Sequence, residues 1–581
     1  EVVVPEEKGD FVKWTGTKHD GTVVTKMIER PRYGGTYFYA RDRAPSEWDG
    51  IGRPSTWNIE PVIETLSIRE WTRGPGGTEE YDPYFNMAIP INEDEHRLAE
   101  SWEVVDDTTL VWHIRKGVNW ALDPTNETSA MVGGRKFTAE DVLYALLRGY
   151  QKTGYYRNRG GYLADMDNVE NSIYISPDDP WAIVMKTRPG RVGAIWEAVG
   201  ANSCQMYAPE AVEKYGNMAD WRTIVGTGPF ILKDHVGDSS ITYVRNDNYW
   251  GTDPFFPENQ TPYVDGIKVF IIPDRSTLAS AQRTGKIDSM YDFNLEEAQQ
   301  LLKTNPEMES NSYVSQYYIR ISPRMDDPSL PWADVRVRHA LMMAIDHPGM
   351  LEHLYQGEAD LLKYPMYPVA EFSDIYVPIE DQSEIVQKMF GYHPDEAKQL
   401  LVEAGYPDGF EAEITCWSRD ADVLSLIKKY WDDIGVDTKI DVRDYVGYFK
   451  MTQSPGRMGE INYKHMIMYD GSAANVFTLG AVRENHPANT SMVYDERVEK
   501  AFLDMADVYW DTPKRRAIAR EMSPYLNEKA YHIQLPTPRT FGMWWPWLKG
   551  YYGGHYLSRL ATFRFVDHIW VDQELKEEMG R

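Results

Sequence analysis

The chain has 581 residues, a formal net charge of −28, 42% hydrophobic and 26% charged residues. That length exceeds what one core can serve, so two to four domains are expected, with the composition of an ordinary folded protein. The acidic balance excludes a nucleic-acid binder, which needs clustered Lys and Arg, and no apolar run of about 18 residues is present to cross a membrane.

The chain opens Glu1-Val2-Val3-Val4, without Met or a signal-peptide pattern, and stays polar to Arg32. It reads as a processed start with a tether over 1–32. Tyr33-Gly34-Gly35 is a turn into a first strand, Thr36 to Ala40. Val62, Ile63 and Leu66 have helical spacing within 59–68. Leu110, Trp112 and Ile114 alternate with Val111, His113 and Arg115, a half-buried strand. The polar, Gly- and Pro-bearing stretch 119–134 reads as a surface loop. Thr138 then opens a helix, its hydroxyl an acceptor for a first-turn N–H, with Glu140 and Asp141 favoured by the helix dipole. Val142, Leu143, Leu146 and Leu147 form its apolar stripe.

Gly226-Thr227-Gly228-Pro229-Phe230 is a tight turn into a strand. No Lys-Ser/Thr follows, so it is not a phosphate loop. Ile267 to Ile272 is a strand buried on both faces, a short helix covers 278–282, and Ile287-Asp288 begins a return strand, together an α/β unit with a parallel sheet. Val337, Ala340, Leu341, Ala344 and Ile345 share one face of a helix whose Arg336, Arg338 and His339 read as a solvated or ion-paired face. Pro394 to Gly405 is a helix with N-terminal Pro and acids and a C-terminal Gly. A strand (411–417), a helix (423–434) and a strand (436–442) follow, then helices over 497–509 and 514–529. Cys204 and Cys416 are far apart, carry no metal-ligand spacing and read as free buried thiols. The 19 Trp and 38 Tyr suit cores and ligand clefts alike, and core packing is the reading for most of them.

Four stretches in order, Leu98–Val118, Thr138–Leu147, Gly226–Leu232 and Asp334–Asp346, resemble the landmarks of the large solute-binding proteins of ABC importers, the oligopeptide/dipeptide-binding type. Tyr392–Lys398 with Gly405–Phe410, and Trp431–Val436, resemble two further elements of that family. The resemblance implies an α/β, two-lobed periplasmic-binding-protein-like fold of type II with an inserted α+β domain, three domains in all. The first lobe would comprise 33–76, 205–310 and 529–581, the inserted domain 77–204 and the second lobe 311–528. It implies a monomer outside the cytoplasm, with a small-molecule ligand, an ABC permease as partner, no cofactor, no metal, no catalysis, and a membrane link only through a removed or absent N-terminal anchor.

In peptide-binding members an Asp after a second-lobe strand pairs with the peptide's α-amino group. The matching segment here is His465–Phe477, and Tyr469-Asp470 stand at that place. A desolvated ammonium needs such a partner, but Asp470 also suits a turn beside Gly471. Trp417, Ser418 and Arg419 end a second-lobe strand, where α/β sheets present residues to a cleft. Arg419 can pair with a ligand carboxylate or with a surface Asp. Tyr33 and Trp48 flank the first strand and can line the other lip, or Trp48 can be loop packing. Related members bind β-linked oligosaccharides with Trp faces, which keeps a sugar ligand open. A secreted glycoside hydrolase is the rival from another class. It needs two carboxylates flanking a bond, and among 89 acidic residues some pair always exists. No His-Glu-x-x-His or Gly-x-Ser-x-Gly motif is present, and His465 and His532 read as structural.

Overall fold

The computed structural model describes residues 6–8, 10–18, 21–45, 48–51, 57–69, 71–74, 76–80, 94–152, 161–199, 204–315, 317–369, 372–444, 447–448, 451, 463–472, 479, 482, 489–553 and 563–581. The chain divides into two compact units, 1–313 with 540–581, and 314–539. The second lobe was expected over 311–528, and residues 529–539, expected in the first lobe, fall in the second unit. The expected inserted domain, 77–204, falls within the first unit. Its Trp112 and Leu146 belong to the same apolar cluster as Tyr37, Ile267 and Trp545.

Residues 6–29 are not a tether. Glu6–Lys8, Phe11–Thr17 and Val23–Glu29 form a three-stranded antiparallel sheet. Alternation puts Val12, Trp14 and Ile28 on one face, against Phe255 and Phe256. The Trp14 ring meets Phe255 edge-on, 5.2 Å between centroids.

The central sheet of the first unit carries the strands Phe230–Val236, Ser240–Arg245, Gly266–Ile271 and Thr36–Arg41 in that order. The last two are parallel, in register from Gly266↔Thr36 to Ile271↔Arg41. Gly34 and Gly35 have φ of +114° and +79°, as the turn before the first strand requires. The segment 59–68 is not the helix its spacing suggested. The Val62 carbonyl accepts from Gly228 N–H (2.9 Å), and that of Pro61 from Phe230 N–H (3.0 Å). Those carbonyls are therefore unavailable to a helix, and only a turn at Ile59 and a short strand, Ser67–Arg69, form.

The expected loop 119–134 contains a helix, Glu127–Val132, with Asn126 as N-cap and Gly133, in the left-handed region, as C-cap. The Asn126 side chain accepts from Ser129 N–H at 2.9 Å. Asn126→Ala is expected to cost about 1 kcal/mol in urea unfolding followed by Trp fluorescence. At the next helix, Ala139–Lys152, the roles expected of Thr138 are reversed. The Asp141 carboxylate reaches back to accept from Thr138 N–H (2.9 Å). Arg135 pairs with the same carboxylate at 2.7 Å.

The strand Ser289–Phe293 follows the helix Arg275–Arg283. It pairs antiparallel with Thr540–Trp544, which also pairs with Glu309–Tyr313. Just before it, Asp288 is buried, and its carboxylate accepts from Phe38 N–H, Trp547 Nε1–H and Lys576 Nζ, each at 2.7 Å.

The second unit is built on a five-stranded sheet. In spatial order its strands are Val436–Arg443, Phe410–Trp417, Met466–Ser472, Tyr317–Pro323 and Ile533–Gln534. The first three are mutually parallel and the fourth is antiparallel to them. The helices Pro394–Glu403 and Ala421–Asp432 frame the strand Phe410–Trp417, the first bounded by Pro394 and by Gly405 at φ +97° as its sequence dictates. On the helix Val335–Met343 Arg336 is exposed and paired with Asp334 at 2.6 Å, within the solvated or ion-paired reading, whereas Arg338 departs from it. Arg338 is 4% exposed and donates to the carbonyls of Trp332, Ala333, Lys529 and Ala530 at 2.7–3.1 Å. Cys204 and Cys416 are buried and are not joined in a disulfide, and burial pushes the Cys416 thiol up to about 11, where it is unreactive.

Candidate ligand-binding site

The parallel strands of the second unit end together at their carboxyl edge. Thr415 stands level with Ile467. Two residues further along each strand come Trp417 and Tyr469, and the period of two puts them on the face of Thr415 and Ile467. Both pack against a small buried cluster of Tyr448, Tyr463, Ile467 and Met492. Trp417 also stands opposite Arg443.

Beyond Trp417 the chain turns through Ser418–Asp420 into the next helix. The Arg419 guanidinium lies over the Trp417 ring, 4.2 Å from its centroid, and its Nε donates to Asp420 Oδ1 at 3.0 Å. The Arg419 side chain is 44% exposed. A part-exposed guanidinium over an aromatic face has the chemistry to pair with a carboxylate. Ser418 is exposed beside it.

On the antiparallel neighbour, Tyr318 and Arg320 stand opposite Gly471 and Tyr469. The Arg320 guanidinium is sandwiched between the Tyr318 ring (4.4 Å) and the Tyr469 ring (4.7 Å). Its Nε donates to Ser322 Oγ at 3.2 Å. Tyr318 is fully buried, its phenol held well above the usual range by that burial, and it hydrogen-bonds His532 Nδ1 at 2.9 Å. Asp470 stands opposite Ile319 in the strand register. Its side chain, and residues 473–478, lie outside the described residues.

The structure therefore brings Trp417, Ser418, Arg419 and Tyr469 to one sheet edge. It does not bring Tyr33 and Trp48 to the corresponding edge of the first unit. Tyr33 precedes the strand Thr36–Arg41, at its amino end, 48% exposed, with its hydroxyl on the Gln260 carbonyl at 2.7 Å. Trp48 is 6% exposed and packs edge-on against His235. At the carboxyl end of that strand stands Arg41, its guanidinium 4.7 Å from the Trp57 ring centroid and donating to the Tyr291 hydroxyl. Arg41 and Arg320 were missed by the sequence reading. For Arg320 the signal was present, since Tyr318, Arg320 and Ser322 alternate with Ile319 and Ile321.

His532 takes the structural place expected of it, and His465 packs edge-on against Trp332. Among the described residues, no cluster of His, Cys, Asp and Glu is arranged to hold a metal ion, and no helix is long and apolar enough to cross a membrane.

The profile of the bacterial extracellular solute-binding proteins, family 5 Middle, matches residues 95–468. Heme-binding protein A of Haemophilus influenzae is 28% identical over 379 residues, 61% of this chain and 63% of that protein, so the match leaves over a third of that relative uncovered. The dipeptide-binding protein of Escherichia coli is 27% identical over 392 residues, 64% of this chain and 67% of that one. Among solved structures, the periplasmic binding protein DppA of Helicobacter pylori in complex with the peptide STSA superposes with a TM-score of 0.68. It is 22% identical, covering 93% of this chain and 99% of that one. The fold is thus that of the α/β periplasmic binding proteins, and the chain belongs to the bacterial extracellular solute-binding proteins, family 5.

Proposed function

We propose that the chain captures a small ligand, an oligopeptide first of all, between its two lobes outside the cytoplasm and delivers it to an ABC importer, without turnover. Closure of the lobes is stabilised only by the ligand's higher affinity for the closed arrangement. The observation that carries this reading is Arg419, presented over Trp417 at the carboxyl edge of the parallel strands beside Tyr469. In this reading Arg419 takes the ligand carboxylate, Trp417 and Tyr469 line its backbone, and Asp470 takes the α-amino group. The ligands named for the relatives above are a dipeptide, a tetrapeptide and heme. They lend no support to the oligosaccharide reading or to a hydrolase.

The test is native mass spectrometry of the purified protein, with release and identification of whatever it carries. A bound peptide supports the reading, and Arg419→Ala then lowers peptide affinity by tenfold or more, the value of a charge-assisted pair. A bound heme, seen also as visible absorption, or a sugar, would overturn the peptide assignment. Turnover of a released ligand would overturn the carrier assignment itself.

A further inference from the structure

The chain passes from one unit to the other twice, at 313/314 and at 539/540. On the first unit's side the two passages are paired, the ladder between Glu309–Tyr313 and Thr540–Trp544 running up to Tyr313↔Thr540. On the second unit's side they are neighbours again. Arg320 pairs with Gln534, Leu535 N–H donates to the Ile319 carbonyl (3.0 Å), and Ile319 N–H donates to Thr537 Oγ1 (3.0 Å).

At Thr537 the outgoing passage takes a different partner. Thr537 and Pro538 pair with Asp360 and Ala359, Arg539 N–H donates to the Glu358 carbonyl at 2.8 Å, and Arg539 Nη2 meets Asp360 Oδ1 at 3.4 Å. The same short segment holds the incoming passage. Lys363 Nζ donates to the Ser315 carbonyl at 2.5 Å. Lys363 is 1% exposed, with Asp360 and Arg539 as the charged groups near it and the Tyr367 ring centroid 5.5 Å away.

We infer that Glu358–Lys363 is a clasp on both passages, and that Lys363 is the positioning residue through which it limits hinge motion. Six residues of one unit thus grip the two points about which any lobe movement must turn, one by a strand ladder and the other through the Lys363 side chain. The asymmetry matters. The ladder at 537–539 holds several backbone groups at once, whereas Ser315 is gripped through a side chain, which can let go while the ladder stays paired. Burial holds the ammonium down at about 7, with Asp360 pulling it up and Arg539 pushing it down, so release near neutral pH does not require moving a full charge. The inference rests on the hinged-carrier reading for its consequence, but not for its test.

The experiment is hydrogen exchange by mass spectrometry, with solution scattering, on the ligand-free full chain and its Lys363→Met variant. Exchange is expected to speed up about tenfold in peptides covering 314–319 and 536–540, the worth of one hydrogen bond from a charged donor. The core strands 410–417 and 436–443 are expected to keep their rates, and the spread of the radius of gyration to widen. Arg539→Gln, which leaves Lys363 in place, is expected to loosen 536–540 more than 314–319. Unchanged exchange, loosening spread equally over the core strands, or an unchanged scattering profile would each overturn the clasp. None of these outcomes depends on which ligand the protein carries, so this failure and a failure of the carrier reading are distinguishable.

Discussion

Gly226→Ala is expected to lower the stability of the first unit by more than about 4 kcal/mol, or to prevent its folding. A Cβ at this position would stand 1.9 Å from the Val62 carbonyl oxygen. The clash is with backbone, so no change of rotamer relieves it. Moving Val62 away would break its bond from Gly228 N–H and the neighbouring one from Phe230 N–H to Pro61. Moving Gly226 instead would break the bond its own carbonyl accepts from Ala121 N–H at 2.9 Å. Gly237→Ala separates sterics from conformational preference. Its φ is +39° and nothing lies within 4 Å of the added carbon, so a cost of about 1 kcal/mol is expected. Urea unfolding followed by circular dichroism measures both. Equal losses would remove the steric account.

Arg338→Met is expected to cost the second unit about 3–5 kcal/mol, the usual loss when a buried, bonded charge is removed and its partners stay behind. Methionine replaces much of the volume, but the carbonyls of Trp332, Ala333, Lys529 and Ala530 lose their donor. Two of these belong to the end of the helix Thr512–Lys529 and its cap, where carbonyls have no partner within the helix. Arg338→Lys keeps the charge without the planar fork and is expected to fall between the two. Burial lowers the guanidinium to about 10, below its value in the unfolded chain. The two states therefore bind different numbers of protons only above about pH 10. Between pH 6 and 9 the loss should stay constant, and a loss that varies there would assign the effect to another group.

Arg338 also shows what sequence pattern leaves out. A cation off the apolar face of a helix reads as solvated, and its four acceptors include residues 529 and 530, which no local spacing can reveal. The sheet over 6–29 was hidden differently. Phe11–Thr17 and Val23–Glu29 do alternate, but the residues that cover Val12, Trp14 and Ile28, Phe255 and Phe256, come far later in the chain. The short helix at 127–132 was legible, since Asn126 and Gly133 are ordinary cap residues. The helical spacing at 59–68 misled because its carbonyls are taken by the Gly226–Phe230 turn.

Where local signals and tertiary packing agree, the reading carries through. Strand, helix and strand over 410–443 produce the parallel edge, and Trp417, Ser418 and Arg419 stand at its end because they end and follow the strand in sequence. Tyr469 reaches the same edge through the parallel register. Tyr33 was placed by nearness to the first strand without regard to the strand's direction, so it stands at the wrong end.

The middle strand of one first-unit sheet, Thr540–Trp544, is made after the whole of the second unit. Its neighbours Ser289–Phe293 and Glu309–Tyr313 are made long before it. Asp288 likewise waits for Trp547 and Lys576. During synthesis the unit that starts first is therefore finished last, while 314–539 has every strand of its own sheet beforehand. Until residue 544 emerges, two strands stand with open edges, a state prone to pairing with other chains. A chain cut short between 539 and 544 would thus carry 314–539 with all its strands beside a first unit with two adhesive edges.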